Sequence, residues 1–194
     1  MIQGSPDPTL LRRAQRGETR AMTTLFELLR PGVVRYCRAR LGRVGSGYAT
    51  ADDVAQEVCL AVFRALPRYR DQGRPFSAFV YAVASNKVAD ARRAAARDPA
   101  VAPIDTLPDR ADPTAGPEER AVASEVTSRL AGLLRLLPDR QREILVLRVA
   151  VGLSSDEVGA VLGMSAAAVR VNQSRALARL RELAQDAFDE VAAA

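Results

Sequence analysis

Pro99, Pro103, Pro108, Pro113 and Pro117 recur through a stretch with few apolar residues. Each proline removes a backbone donor and crowds the preceding helical turn. Residues 98–119 therefore cannot contribute a regular core element and read as a linker. Whatever folds must fold on either side of it. The expected organisation is a domain over 1–97, a Pro-rich acidic linker over 98–117, and a second domain over 118–194. At 194 residues there is room for two small domains.

Charge follows the same division. Residues 1–97 carry 17 Arg/Lys against 8 Asp/Glu, residues 98–119 carry 1 against 6, and residues 120–194 carry 10 against 9. A basic first half fits a polyanionic partner, although a solvated surface explains raw charge equally well. Lys87 is the single lysine among 28 cationic residues. Arginine's planar fork suits phosphates and base edges.

The chain has no histidine and two cysteines, Cys37 and Cys59. That removes the usual acid–base residue and the commonest nitrogen ligand, so no metal site, cofactor or catalytic centre is expected. Both thiols lie among apolar residues on helical patterns and read as small buried hydrophobes. No N-terminal run resembles a signal peptide, and no apolar stretch reaches the ~18 residues of a membrane span. A cytoplasmic protein without membrane insertion is expected.

Hydrophobic periodicity is helical throughout, which implies an all-α fold. Asp7-Pro8 opens a short helix that Gly17 ends. Glu18 to Leu41 follows, with Pro31-Gly32 a kink or break, Gly42 a stop, and Gly45-Ser46-Gly47 a loop. Thr50 caps a helix to about Leu66, with Asp52 and Asp53 in its first turn, where the dipole favours them. Pro67 to Pro75 is a polar loop, and a long helix runs from Phe76 to about Arg97. Beyond the linker, helices open at Pro117-Glu118-Glu119 (to about Leu136) and at Pro138-Asp139 (to about Val151, ended by Gly152). Ser154-Ser155-Asp156-Glu157 is a capping box. Gly163 turns the chain, and Ser165 caps a last helix to about Ala187.

Leu153 to Val169 fits helix-turn-helix spacing. Gly159 lets the two helices approach, Gly163 makes the turn, and Val169 locks the second helix. On a wheel, Val169, Ala176, Leu180 and Leu183 share the buried side. Ala167, Arg170, Val171, Ser174, Arg175, Ala178 and Arg181 face outward. Small residues beside arginines allow deep entry into a major groove.

The helix from Asp53 buries Val54, Val58, Ala61 and Val62. Its second face carries Asp53, Gln56, Glu57, Leu60 and Arg64, an acidic stripe with one leucine that suits protein docking. In the helix from Phe76, residues Phe76, Phe79, Val80 and Val83 pack inward, while Asn86, Asp90, Arg93 and Arg97 line a neighbouring stripe. The loop before it adds Arg68, Tyr69, Arg70 and Arg74. Cations interleaved with aromatics suit splayed bases, or else the aromatics are core and the arginines simply solvated.

These motifs, in this order, resemble the extracytoplasmic-function (ECF) sigma factors of bacterial RNA polymerase. Asp52-Asp53-Val54-Ala55-Gln56-Glu57-Val58 is similar to the family's region 2.2, which implies docking on the β′ clamp helices through Asp53, Gln56, Glu57 and Leu60. Phe76 to Arg93 resembles the segment that reads and melts the −10 element, implying contacts from Arg70, Arg74, Phe76, Asn86, Lys87 and Arg93. Leu137-Pro138-Asp139-Arg140-Gln141-Arg142-Glu143-Ile144-Leu145 resembles the start of region 4, whose family partner is the β flap. By the same resemblance, Arg170, Val171, Ser174 and Arg175 contact the −35 element, and the linker passes near the polymerase active cleft. Ala65-Leu66-Pro67-Arg68-Tyr69-Arg70-Asp71 and Ala168-Val169-Arg170-Val171 resemble the actinobacterial sigma-D-like subgroup. Val171-Asn172-Gln173, Gly159, Phe63 and Phe79 depart from the family pattern.

The resemblance implies two helical domains, a region 2 bundle and a region 4 helix-turn-helix, in a transcription initiation factor with no chemistry of its own. Its partners would be core polymerase, promoter DNA and an anti-sigma factor. A free-standing DNA-binding regulator is the alternative. The Asp53-Gln56-Glu57 stripe separates the two, because such a regulator has no need of it.

Overall fold

A computed structural model describes residues 6–41, 43–44, 50–97, 103–104 and 129–192, with backbone only at 43–44, 103–104 and 187–192. Helix α1 (Pro8–Gln15) begins where Asp7 Oδ1 accepts from the Thr9 amide at 3.1 Å, and Gly17 turns the chain at φ +80°. Helix α2 (Thr19–Leu41) passes through Pro31 without a break. Its buried row of Leu25, Leu29, Val33, Tyr36 and Cys37 continues on both sides of the proline. Burial of that row outweighs the one hydrogen bond lost.

Helix α3 (Ala51–Ala65) starts at a reciprocal capping box between Thr50 and Asp53 and runs into a 3-10 turn over Leu66–Arg68. Helix α4 spans Phe76–Ala96. In the second half, α5 is described over 129–135. Helix α6 (Asp139–Leu145) widens into a π-helical segment, Val146–Val151, where a single α-helix was expected. The wider turn keeps Leu147 and Val151 buried while Val149 stands 71% exposed. Gly152 closes it at φ +91°. Helix α7 (Ser155–Leu162) has the expected Ser154–Glu157 capping box. Helix α8 (Ala166–Ala192) extends five residues past the expected end. The glycines at 42, 45 and 47 and the opening at Pro117 lie outside the described residues.

Arg43–Val44 (β1) and Pro103–Ile104 (β2) form a two-residue antiparallel ladder, so part of the linker returns to the N-terminal bundle. The two halves also share a core. Tyr36, Val58, Val80 and Val88 belong to the same buried cluster as Ile144, Leu147, Val158 and Val169. A second, smaller cluster of Leu137, Leu145 and Ala176 is confined to the C-terminal helices. Among the described residues no helix is long and apolar enough to cross a membrane.

Candidate nucleic-acid and protein interfaces

The stripe on α3 stands where the periodicity puts it. Asp53, Gln56, Glu57 and Leu60 are all exposed, opposite the buried Val54, Val58 and Val62. Two of its acids have local duties. Asp53 Oδ2 accepts from the Thr50 amide at 2.8 Å, and Glu57 Oε2 accepts from Lys87 Nζ at 3.0 Å. Beside it, Arg38 grips Asp52 at 2.8 and 2.6 Å, which holds that carboxyl below its usual range. Leu60 and Phe63 are each 48% exposed, and Phe63 lies 6.1 Å from the Phe26 ring. A cavity of about 600 Å³ lies between α2 and α3, lined by Phe26, Arg30, Val34, Asp53, Gln56 and others. The exposed surface around the stripe therefore extends from α3 onto α2. Sequence reasoning missed Phe26 and Arg30, because they are neighbours of Gln56 only in space.

The second face belongs to α4 and the loop before it. Asn86 and Arg93 are exposed on the outer side of α4, with Arg93 paired to Asp90, and Arg70 and Arg74 are exposed on the loop. Lys87 is turned toward α3 by its ion pair with Glu57, so one residue of this set is tied to the acidic stripe on that helix. Phe76 departs from the expectation of a base contact. It is 3% exposed, with its ring 5.1 Å from Tyr69 and 5.7 Å from Phe79. Burial of an aromatic side chain outweighs any gain from presenting it to solvent. The trio is a scaffold for the arginine loop, which Gln15 also holds by donating from Nε2 to the Tyr69 carbonyl at 2.8 Å.

The third face is on α8. Arg170, Val171, Ser174 and Arg175 are exposed together, with Val169 and Ala176 fully buried behind them. Ser165 Oγ accepts from the Ala168 amide at 3.2 Å and starts the helix. Gly159 makes the close approach possible. A Cβ there would stand 2.5 Å from the Met164 carbonyl oxygen, inside any permitted contact. Arg148 ties the pair from behind, donating from Nε to Gln173 at 3.0 Å and from Nη1 to the Leu153 carbonyl. Asn172 donates to the Ala168 carbonyl at 2.8 Å. Asn172 and Gln173, the departures from the family pattern, are thus engaged within the fold.

Three exposed polar faces on three separate helices match a family organisation. Residues 25–98 match the model of Sigma-70 region 2, and residues 128–180 that of Sigma-70, region 4. The ECF RNA polymerase sigma factor SigD of Mycobacterium tuberculosis is 52% identical over 181 residues, covering 93% of this chain and 85% of that protein. The chain belongs to the ECF RNA polymerase sigma factors. ShbA of Streptomyces griseus, another ECF sigma factor, is 52% identical over 179 residues, covering 91% of this chain and 94% of the relative. Among solved structures, CnrH in complex with the cytosolic domain of CnrY superposes with a TM-score of 0.67 at 27% identity, covering 92% of this chain and 96% of that one. This ECF sigma factor is a transcription initiation factor that binds core RNA polymerase and directs it to specific promoters.

Proposed function

We propose a division of labour among the three faces. Asp53, Gln56, Glu57 and Leu60 on α3, extended by Phe26 and Phe63, dock core polymerase at its β′ clamp helices. Arg70, Arg74, Asn86, Lys87 and Arg93 hold the −10 element and assist strand opening, over the Tyr69–Phe76–Phe79 scaffold. Arg170, Val171, Ser174 and Arg175 on α8 read the −35 element as duplex, while other surfaces of the C-terminal helices meet the β flap. Residues 1–97 then act as region 2, 98–117 as the linker, and 118–194 as region 4. Phosphodiester chemistry belongs to the polymerase, and the site of action is the cytoplasm. CnrH is held by CnrY in its solved complex, and an anti-sigma partner for this chain follows by analogy.

The observation that carries this reading is the simultaneous exposure of the α3, α4 and α8 faces behind fully buried apolar rows. A free-standing regulator accounts for α8 and leaves the α3 stripe without use. Charge reversal at Glu57 with Gln56→Lys is expected to abolish capture by core polymerase while leaving −35 duplex binding intact. Undiminished capture would refute the assignment of α3.

A further inference from the structure

The outward arc of α8 holds one large apolar side chain among groups that hydrogen-bond. Val171 is 48% exposed and lies between Arg170 and Arg175 on that arc, with Ser174 one turn further on. It stands in the second turn of the helix, which Ser165 starts. Helix-turn-helix proteins meet base edges with the N-terminal residues of their second helix. On the same arc, Ala167 comes one turn before Val171 and Ala178 two turns after it, and both are exposed. Such small neighbours leave the valine free to approach the floor of a major groove.

Packing does not account for Val171. Among the described residues it joins neither apolar cluster, whereas Val169, two positions earlier, is fully buried. The two amides that follow it are occupied inside the fold. Asn172 Nδ2 donates to the Ala168 carbonyl at 2.8 Å, and Gln173 Oε1 accepts from Arg148 Nε at 3.0 Å. Both side chains are half-buried, so neither amide is presented to bases. Arg170 and Arg175 are exposed and have no side-chain partner among the described residues. The reading set at the start of α8 is therefore two arginines, one serine and one valine.

The major groove answers these groups unequally. A guanidinium fits guanine O6 and N7, or a phosphate, and a serine hydroxyl suits any base edge. Valine neither donates nor accepts. Set against the polar edge of guanine, adenine or cytosine, it would strip water from donors and acceptors and return no hydrogen bond. Thymine alone offers an apolar group in that groove, its 5-methyl.

We propose that Val171 is a specificity-determining residue of the −35 contact, and that it selects a thymine by packing on the 5-methyl group. The inference rests on the −35 assignment of α8 and adds the base that the helix requires at one position. Val171 also opens the run Val171-Asn172-Gln173 that departs from the family pattern, so this preference belongs to the chain and not to the family at large.

The test uses holoenzyme assembled from core polymerase with the full chain in native, Val171→Ser or Val171→Ala form. Each form selects from promoter fragments randomised over the −35 window. In the duplex selected by the native form, every thymine of either strand is replaced singly by deoxyuridine, which removes the 5-methyl and keeps the base pair. The native form should select a thymine at one position and lose about fourfold in affinity when that base becomes deoxyuridine, the scale of one methyl group returned to water. Both variants should bind the thymine duplex more weakly by a similar factor and no longer distinguish it from the deoxyuridine duplex. Their own selections should relax at that position and keep the neighbouring preferences. Because Val171 is exposed, thermal unfolding and capture by core polymerase should match the native form.

Equal affinity of the native form for every deoxyuridine duplex would overturn the inference. So would a native selection without thymine, or a methyl effect undiminished in both variants, which would assign the contact to another residue. A native selection with no preference anywhere in the −35 window would overturn the assignment of α8 itself and this inference with it. That failure is distinct from a selected −35 sequence that lacks only the methyl effect.

Discussion

Helices α4 and α8 are the two basic helices assigned to nucleic acid, and they are packed differently. Helix α8 rests on α6 and α7 and buries a single row, with Val169 and Ala176 at 0% exposure. Helix α4 is gripped from two sides. Phe76 and Val80 serve the bundle core, while Ser77, Tyr81, Ala84 and Val88 are buried toward the C-terminal half. A helix with one buried row keeps its reading face wherever its own domain goes. One buried on two sides reports whether the second domain is docked. The surroundings of α4 therefore depend on both halves of the chain, whereas those of α8 depend on its own half.

The largest expected effect tests the second burial of α4. Tyr81 is 5% exposed, and its ring stands edge-on to Tyr36 at 5.5 Å. Tyr81→Ala should cost about 3–5 kcal/mol in urea unfolding. If α4 were packed on one side only, the loss would fall well below that. Next comes the approach of α7 to α8. Gly159→Ala must displace the Met164 carbonyl and should cost about 1–3 kcal/mol, with weaker binding to a −35 duplex. A variant that kept both stability and duplex affinity would show that the turn adjusts freely.

Smaller is the cap of α7. Ser154 Oγ accepts from the Glu157 amide at 3.1 Å, and Ser154→Ala should remove about 1 kcal/mol by thermal unfolding. Equal stability would mean that water replaces the cap.

The smallest effect concerns Asp139, which touches both halves. Burial alone would raise its carboxyl, but Arg40, Arg142 and Arg92 outweigh burial and hold it below the usual range. Glu143 lies beside the same arginines. A depressed carboxyl stabilises the fold above its unfolded-state value, and that contribution is lost as pH falls through the folded value. Asp139→Asn should therefore destabilise at neutral pH by under about 1 kcal/mol, because the side chain is 65% exposed and screened. The gap from native should close as pH drops below the ordinary aspartate range. A gap independent of pH would mean that its charge is unimportant.

Much of the site was legible because it depends on neighbours in the chain. The Thr50 and Ser154 caps join residues three apart. Gly163 reveals its left-handed turn, at φ +66°, by its residue type. The exposed rows on α3 and α8 follow from helical period. Helical period put Phe76 inward, where it lies at 3% exposure, while the resemblance implied a base contact, because an aromatic at a helix start beside arginines fits a base platform and a core equally well. Only the Tyr69 and Phe79 rings around it decide between them. The second face of α4 was missed because serine, alanine and tyrosine give a weak apolar signal.

The order of residues alone determined two helical halves, the Pro-rich stretch between them, their caps and their outward rows, since each is set by interactions within about one helical turn. Tertiary structure alone decided that the halves dock and which charges meet. Tyr36 finds Glu143 across 107 positions, and Arg40 finds Asp139 across 99. Partners so distant leave no periodic trace along the chain. The desolvation that makes their pairing matter exists only once both halves have excluded water from it.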